Sequence, residues 1–524
     1  MSENRMNLSN QTETLGRLLL IIAPLFLLLV LFNLTSFYII LSLIVLALVY
    51  VFLKRQLWIF LVLAVPSLVF GKFINFYVNP GWVYEMSLAE VFILAAAIVF
   101  LLDKFLNKNI EKIKIDKLSF FLAAYALLAV ASFWQIIDFR LYIFGLKVLI
   151  FSFLSYFLAL NLFGNEADTI PSVIPGFRLA EDGESRQVTR PPAGKVGNPE
   201  SLPVVNVDAI LDPGSTAGMT EKKMKWFLYG LAATAVILSV QIFVKFYQMG
   251  WSSKFFFDRS NILIPMGPVA LVSAILVLLL PIILTFYFDV SVKEKSPLAP
   301  SAGSGQAPFI KGGGKPFLLL SFIFGSLAVF LTLGKAAILS LFAGLFYLFI
   351  KLKDRRIIFI LTVAFFIILS YIFFSSFFTG LAERLAHIFV DANTKARIME
   401  YEVGWKIIKD NLWLGVGSGQ QLVYFRKLLN YSQCVNNYFL QAAIDLGILG
   451  FALVCLIAVS IFGSVRKYLK VPKGRNVLLA YGFTASLIAA SLNGLAEVTF
   501  FALQYAVIFW IMLGAFANLK TYEK

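Results

Sequence analysis

Long apolar runs are the feature of this 524-residue chain that most limits its fold. About fourteen of them approach the ~20 residues that a helix needs to cross a bilayer. Hydrophobic residues make up 60% of the chain and charged residues 14%, whereas a soluble domain has about 25% charged residues. The sequence therefore predicts an all-α, polytopic membrane protein with about 12–14 transmembrane helices. The predicted spans are 16–33, 35–53, 57–71, 87–103, 118–137, 141–163, 224–247, 266–288, 316–334, 336–352, 356–375, 442–464, 477–494 and 500–517.

Two polar insertions and one long polar segment divide these spans. The insertions are rich in proline, or in glycine and serine, which is typical of flexible linkers. By counting spans, both insertions are predicted to be cytoplasmic, and the long polar segment extracytoplasmic. The predicted units are N-terminal helices at 1–163, a linker at 164–223, helices at 224–375 with a low-complexity linker at 291–315, an extracytoplasmic catalytic loop at 376–441, and C-terminal helices at 442–524.

Basic residues in the short loops predict the orientation, because lysine and arginine keep loops in the cytoplasm. With fourteen spans, all the basic loops fall on one side, and both termini lie there too. The expected location is the bacterial inner membrane, and the net charge of +16 is explained by topology and anionic lipid. No nucleic-acid partner is predicted. The basic loops contain Lys54–Arg55, lysines 104–117, Lys351–Arg356 and Arg466–Arg475.

Within the polar segment, the stretch from Arg397 to Leu412 has the periodicity of an amphipathic helix. Its aromatic residues suit the headgroup level of a bilayer, so the helix is expected to lie on the membrane surface. A Gly415-Val-Gly417 turn is expected to end it, and Asn437 to begin the next helix. The residues of the predicted apolar face are Ile398, Tyr401, Trp405, Ile408 and Leu412.

Residues that bind metals or nucleotide cofactors are sparse. The chain has one histidine, His387, and two cysteines, Cys434 and Cys455, with no metal-ligand spacing, Walker loop or dinucleotide fingerprint. Accordingly, neither a metal nor another cofactor is predicted, and no disulfide is expected.

A set of spaced motifs carries a resemblance to a known family. Gly415, the first glycine of Gly415-Val-Gly, comes eighteen residues after Arg397, and an Asn437-Tyr-Phe-Leu-Gln stretch and Asp445-Leu-Gly-Ile-Leu-Gly450 follow. Arg259-Ser-Asn261 precedes the eighth span, and Lys335 lies in a tight apolar hairpin. Over roughly residues 250–517 this pattern resembles the O-antigen ligase and polymerase family of bacterial envelope enzymes.

The resemblance implies a GT-C-like glycosyltransferase that moves a glycan from an undecaprenyl diphosphate carrier to a hydroxyl of an acceptor glycan, lipid or protein. Without a metal, the charge of the leaving diphosphate must be met by arginine and lysine. The family places an arginine where Arg397 stands, another where Lys335 stands, and a histidine where Asn436 stands. The candidate site residues are Arg397, Asn436 and Glu497 as catalytic, and Arg259, Lys335, Asn437 and Tyr401 as substrate-binding.

Two positions depart from the family pattern. Lys335 keeps the positive charge but lacks the planar fork of arginine. Asn436 has no titratable nitrogen and cannot act as a general base. Either another group takes the proton, with His387, Glu402 and Glu497 as candidates, or the protein is weak or inactive.

Two other classes of function remain open. A transporter or flippase of lipid-linked glycan would bury paired charges in its spans and often contains repeated halves. The spans are almost free of charge and no internal repeat is evident, which favours the enzyme. A noncatalytic scaffold in envelope assembly is the third hypothesis, and the absence of the histidine makes it more credible.

Overall fold

The structure is a computed structural model that describes residues 56–79, 82–106, 113–164, 213–250, 262–295, 314–332, 334–353, 392–430, 434–469 and 477–518. Over these ranges the chain forms 13 α-helices, seven of which are long and apolar enough to cross a membrane. The protein is an all-α, polytopic membrane protein, as predicted from its hydropathy. The helices are α1 (Trp58–Ser67), α2 (Leu88–Leu106), α3 (Lys117–Ala131), α4 (Phe139–Leu162), α5 (Pro213–Gln248), α6 (Val269–Lys295), α7 (Gly314–Leu331), α8 (Lys335–Lys351), α9 (Ala392–Asp410), α10 (Gln421–Leu429), α11 (Tyr438–Leu469), α12 (Val477–Ala496) and α13 (Leu503–Asn518).

Each predicted span that falls within these ranges coincides with a helix. The predicted spans 16–33, 35–53 and 356–375 lie outside the described residues, so the total of 12–14 stays a prediction. The bounds of the predicted linkers need correction. Residues 213–223 belong to α5, which begins at Pro213, a residue well suited to the first helical position because it lacks an N–H. Similarly, α6 continues to Lys295 and α7 begins at Gly314, so both ends of the 291–315 linker are helical.

An antiparallel hairpin that the sequence pattern does not predict connects α1 and α2. Its strands are β1 (Lys72–Asn79) and β2 (Trp82–Ser87). At its base, a side chain on Gly71 would collide with the carbonyl oxygen of Pro265. The glycine thus allows the hairpin to lie against a second, very short antiparallel pair, β3 (Leu263–Ile264) and β4 (Gly267–Pro268).

A buried ion pair joins α2 to α4. Lys147 Nζ lies 2.6 Å from Glu90 Oε1, and both side chains are buried. The backbone N–H of Ser87 donates to the other carboxylate oxygen of Glu90 at 2.6 Å, which caps the start of α2. This pair is an exception to the nearly charge-free spans, and a buried pair of this kind is retained only where its geometry offsets the cost of desolvation.

The helices give the molecule two distinct ends. Parallel packing of α4 and α13 is evident from Phe144 against Phe501, with ring centroids 5.2 Å apart, and from Asn518 Nδ2, which donates to the carbonyl of Ala159 at 3.1 Å. The end that holds residues 132–138, 392–430, 434–437 and 497–501 is called the loop end below. The opposite end holds Lys114, whose backbone N–H donates to Asn161 Oδ1 at 2.8 Å.

Helix α6 lies at the centre of the bundle, in contact with α5, α7, α8 and α12. Its most apolar stretch is 89% buried inside the protein, more than that of any other candidate span in the described ranges. Close packing against α12 depends on Gly482, where a side chain would collide with Thr285. Because α6 is shielded from lipid, the helices around it can hold the loop end in a fixed arrangement.

Candidate functional site at the loop end

Helix α9 presents three polar side chains from successive turns. Arg397, Glu400 and Tyr401 are spaced i, i+3 and i+4, which places them on neighbouring parts of one helical surface. Arg397 Nη2 lies 3.1 Å from Glu497 Oε1 in the connection between α12 and α13. Their side chains are 33% and 24% exposed, so the ion pair remains accessible from outside the protein.

Asn436 contacts the other two residues of this group. Its backbone N–H donates to Glu400 Oε2 at 3.2 Å, and its Nδ2 donates to Glu400 Oε2 at 3.0 Å and Oε1 at 3.3 Å. The hydroxyl of Tyr401 donates to the Asn436 carbonyl at 3.3 Å. Glu400 is only 2% exposed, so Asn436 meets a buried carboxylate.

Asn437 fixes the start of α11 and ties it to α12. Its Oδ1 accepts from the backbone N–H of Leu440 at 3.0 Å, as an N-cap residue does. Its Nδ2 donates to the carbonyl of Leu495 at 3.3 Å, two residues before Glu497. Five of the seven predicted site residues therefore lie in one region: Arg397 pairs with Glu497, Tyr401 contacts Asn436, and Asn437 contacts the backbone two residues before Glu497.

Lys335 also lies at the loop end. Helices α8 and α12 are antiparallel, with Gly344 against Ala485 and Ala489, and Tyr347 near Tyr481 with ring centroids 6.5 Å apart. The start of α8 lies about 13 Å along the helix axis from Gly344. The end of α12 lies about the same distance beyond its contact with Gly344, so the two helix ends are at the same level. Lys335 is thus brought to the height of Glu497, with its side chain partly exposed.

The remaining candidates are not part of this cluster. Arg259 and His387 lie outside the described residues. Glu402 is exposed on α9, and its side chain leaves the helix about 140° around the axis from that of Arg397. Among the described residues, no group of three His, Cys, Asp or Glu side chains is arranged to hold a metal ion. Independence from a metal stays a prediction.

A break in α11 receives the glycine-rich turn. Leu446 and Gly447 leave the helical conformation, with φ of 66° and ψ of −162° at Gly447. The N–H of Val416 donates to the carbonyl of Ile444 at 2.9 Å, and that of Gly417 to the carbonyl of Asp445 at 2.8 Å. A side chain on Gly447 would strike Trp413. The turn thus supplies the hydrogen bonds that the broken helix lacks.

Two glutamines after the turn anchor the polar segment to the bundle. Gln420 accepts from the N–H groups of Ile137 and Asp138 and donates to the Asp138 carbonyl at 2.7 Å. Gln421 accepts from the N–H of Val435 at 3.2 Å and donates to Asp445 Oδ2 at 3.3 Å. These contacts fix the backbone just before Asn436. Neither glutamine stands out in the sequence, because glutamine carries no charge and neither belongs to a recognisable motif.

The predicted helix at 397–412 is present as α9, but its buried face differs from the predicted apolar face. Of that predicted face, Ile408 is buried, whereas the other residues are exposed; Trp405 is 56% exposed. The face that packs on α11 consists of Glu400, Gly404, Ile407 and Ile408. The exposed residues suit the predicted position at a membrane surface, which stays a prediction. The exposed members of the predicted face are Ile398, Tyr401, Trp405 and Leu412.

Burial determines the protonation of two side chains in this segment. It raises the pKa of the Tyr401 phenol, and the positive charge of Arg397 acts in the opposite direction. Tyr401 is therefore a neutral hydrogen-bond donor at physiological pH. Burial also raises the pKa of the Cys434 thiol well above its usual range, with the charges of Asp445 and Glu400 adding to the effect. Cys434 is consequently unsuited to act as a nucleophile.

The fold and this cluster define a multi-span membrane protein with a polar site held at one end of its helices. Residues 320–455 match the family described as O-antigen ligase. This match supports the resemblance to the O-antigen ligase and polymerase family over these residues. A search among curated proteins finds no match.

The matched region contains Lys335, Arg397, Glu400, Asn436 and the broken part of α11, whereas Glu497 lies beyond it. It supports ligase- or polymerase-type glycosyl transfer in general, with a lipid-linked glycan and an acceptor as partners. The sequence reasoning missed Glu400, although its position three residues after Arg397 on a helix is a usable signal.

Proposed function

We propose that the protein transfers a glycan from an undecaprenyl diphosphate carrier to an acceptor hydroxyl in the synthesis of a cell-surface polysaccharide or lipopolysaccharide. The observation that carries this proposal is the accessible ion pair between Arg397 and Glu497 beside Asn436 and Asn437. A guanidinium that binds a carboxylate can also bind a phosphate, because both present oxygens in a similar geometry. The O-antigen ligase domain around it makes a lipid-linked glycan the expected donor.

The diphosphate is the leaving group of this reaction. The bond between the sugar's anomeric carbon and the diphosphate oxygen breaks, and the electron pair stays on the diphosphate. Arg397 stabilises that developing charge, with Lys335 and Arg259 as further cations. In the free protein Glu497 forms an ion pair with Arg397, so the diphosphate binds by replacing that carboxylate.

Glu497 is the proposed proton acceptor where the family places a histidine. Once the diphosphate holds Arg397, the carboxylate of Glu497 is released next to the reacting groups. The acceptor hydroxyl attacks the anomeric carbon, and its proton passes to Glu497. Tyr401, Asn436 and Asn437 contact the sugar or the acceptor, since a phenol and two amides offer both donors and acceptors.

The orientation is part of the proposal. The lysines at positions 114, 117 and 351 lie toward the opposite end of the molecule from Arg397. If basic residues mark the cytoplasmic side, then the loop end faces the extracytoplasmic side. We place the protein in the inner membrane with both termini in the cytoplasm.

Transport of a lipid-linked glycan is the second candidate, and the buried pair of Glu90 and Lys147 is the observation that favours it. Ionisable groups within spans often mark a transport path. The pair lies between α2 and α4, far in sequence from Arg397. A transporter would move the intact carrier across a bilayer without chemical change, which differs from what a transferase would do.

One experiment separates these functions. Purified protein in detergent is mixed with labelled undecaprenyl-diphosphate glycan and three acceptors in turn: lipid A core, a second carrier-linked glycan, and a protein. Reactions run with and without EDTA, and the protein is also reconstituted in vesicles to measure carrier translocation. Transfer in EDTA supports the proposal. Translocation without transfer supports transport, and carrier binding with neither activity supports a scaffold.

A further inference from the structure

Glu400 is a buried carboxylate that the transfer mechanism above does not use. It is 2% exposed, and moving an ionised carboxylate out of water is strongly unfavourable unless its oxygens are hydrogen-bonded. Both oxygens accept from Asn436, through the side-chain Nδ2 and, for Oε2, the backbone N–H as well. Asn436, a residue of the proposed site, thus donates hydrogen bonds to both oxygens of this carboxylate.

A carboxylate determines which way the neighbouring amide points. An asparagine side chain has an oxygen that only accepts and a nitrogen that only donates hydrogen bonds. An ionised carboxylate only accepts, so the Nδ2 of Asn436 must face Glu400. The amide oxygen Oδ1 must then face the other way, and among the described residues it has no hydrogen-bond donor against it. Asn436 is 5% exposed, so a donor from a bound substrate reaches this oxygen only by entering the site beside Glu400 and Tyr401.

An acceptor hydroxyl is such a donor. We propose that Glu400 is a positioning residue for the acceptor: it fixes the amide of Asn436 so that Oδ1 accepts a hydrogen bond from an acceptor hydroxyl next to the reacting one, whose own proton passes to Glu497. This inference rests on the proposed transferase function. It assigns the acceptor side of the site to Glu400 and Asn436, and leaves the diphosphate side to Arg397.

The layout of α9 supports this division. Arg397 points to the α12–α13 connection, where it contacts Glu497. One turn later, Glu400 and Tyr401 both contact Asn436, at its side chain and its carbonyl respectively. A single helix thus holds the groups for both substrates, and it is held in turn by Ile407 and Ile408, which are buried. A rigid support of this kind is what precise orientation of a hydroxyl requires.

The test uses Glu400→Gln, which keeps the shape of the side chain but removes its acceptor-only character. The introduced glutamine can pair with Asn436 in either amide orientation, so the orientation is no longer fixed. We expect KM for the acceptor to rise and kcat to fall, together roughly 10²-fold in kcat/KM. KM for the labelled undecaprenyl-diphosphate glycan should stay within about twofold. Glu402→Gln, an exposed carboxylate on the same helix, is the matched control.

A double substitution separates positioning from a purely structural role. In Glu400→Gln with Asn436→Asp, the introduced glutamine donates to the introduced aspartate, and an oxygen again faces the acceptor. A KM for the acceptor that returns toward the wild-type value in this double variant supports the proposal. This comparison holds even when the single variant folds poorly. Wild-type kinetics in folded Glu400→Gln overturns the proposal. So does an equal rise of KM for donor and acceptor that the double variant does not reverse. Both results leave the transferase function standing. Absence of transfer by wild-type protein overturns both.

Discussion

At the scale of single residues, the ion pair of Arg397 and Glu497 decides how the site responds to substrate. At 33% and 24% exposure, each group retains contact with water, so the pair itself adds little to stability, about 0–1 kcal/mol. A weak pair is easily exchanged. It can hold Arg397 in place while the site is empty and give way when a diphosphate with more charge arrives.

Replacing Glu497 with glutamine tests this exchange. Because the carboxylate no longer competes for Arg397, inorganic pyrophosphate should bind several-fold more tightly, which lowers its inhibition constant for transfer. Because Glu497 is the proposed base, kcat should fall by about 10²–10⁴-fold. Steady-state transfer kinetics and pyrophosphate competition measure the two effects. A variant with normal kcat would remove Glu497 as the base, and Glu402→Gln should behave as wild type.

The sequence predicts the members of this site better than their contacts. Arg397 stands out by its spacing from Gly415 and Asn437, Asn436 because it occupies the position of the family's histidine, and Glu497 because it is a carboxylate near the end of a span. Glu400 was missed because an acidic residue in an amphipathic helix usually lies on its solvated face. Its burial depends on where Asn436 lies, a contact between residues 36 positions apart that no local pattern encodes.

At the scale of elements, the interruption of α11 is the feature most sensitive to sequence. The conformation of Gly447 is one that residues with a side chain avoid, and Trp413 fills the space where that side chain would lie. The turn at 415–419 and the break at 446–447 thus depend on each other. Since Asn436 and Asn437 precede α11, the position of the break also fixes their height above the bundle.

The substitution Gly447→Ala should destabilise the protein by about 2–6 kcal/mol, because backbone strain and steric overlap add. Thermal unfolding followed by fluorescence-detected size exclusion in detergent measures the effect. Gly463→Ala is the matched control on the same helix, since nothing lies within 4 Å of a side chain there. Equal stability of the two variants would contradict the interlocked arrangement.

Helices were predictable and other elements were not. Long apolar runs must form helices in a bilayer, because no water is present to satisfy the backbone, so hydropathy alone positions them. The hairpin at 72–87 and the break in α11 depend on contacts with distant segments, such as Gly71 with Pro265. The face by which α9 packs on the protein was not predicted for a related reason: an apolar stripe at a membrane surface need not be the stripe that packs on protein.

At the scale of the whole molecule, the proposed orientation places the loop end on the extracytoplasmic side. Glu402 lies at the loop end and Lys117 at the opposite end, and both side chains are exposed. In a variant with both native cysteines replaced by alanine, we expect Glu402→Cys to react with an impermeant maleimide in spheroplasts. Lys117→Cys should react only after permeabilisation. The reverse pattern would place the site in the cytoplasm and contradict the proposed orientation.

The most direct test of the proposed function is the rate of glycan transfer by the Arg397→Ala variant, compared with wild type and with Lys406→Ala. Lys406 is an exposed cation on the opposite side of α9, so its removal controls for the loss of one positive charge. We predict that Arg397→Ala lowers kcat by about 10²–10³-fold at an unchanged yield of folded protein, whereas Lys406→Ala transfers at the wild-type rate. Full transfer by folded Arg397→Ala would contradict the account.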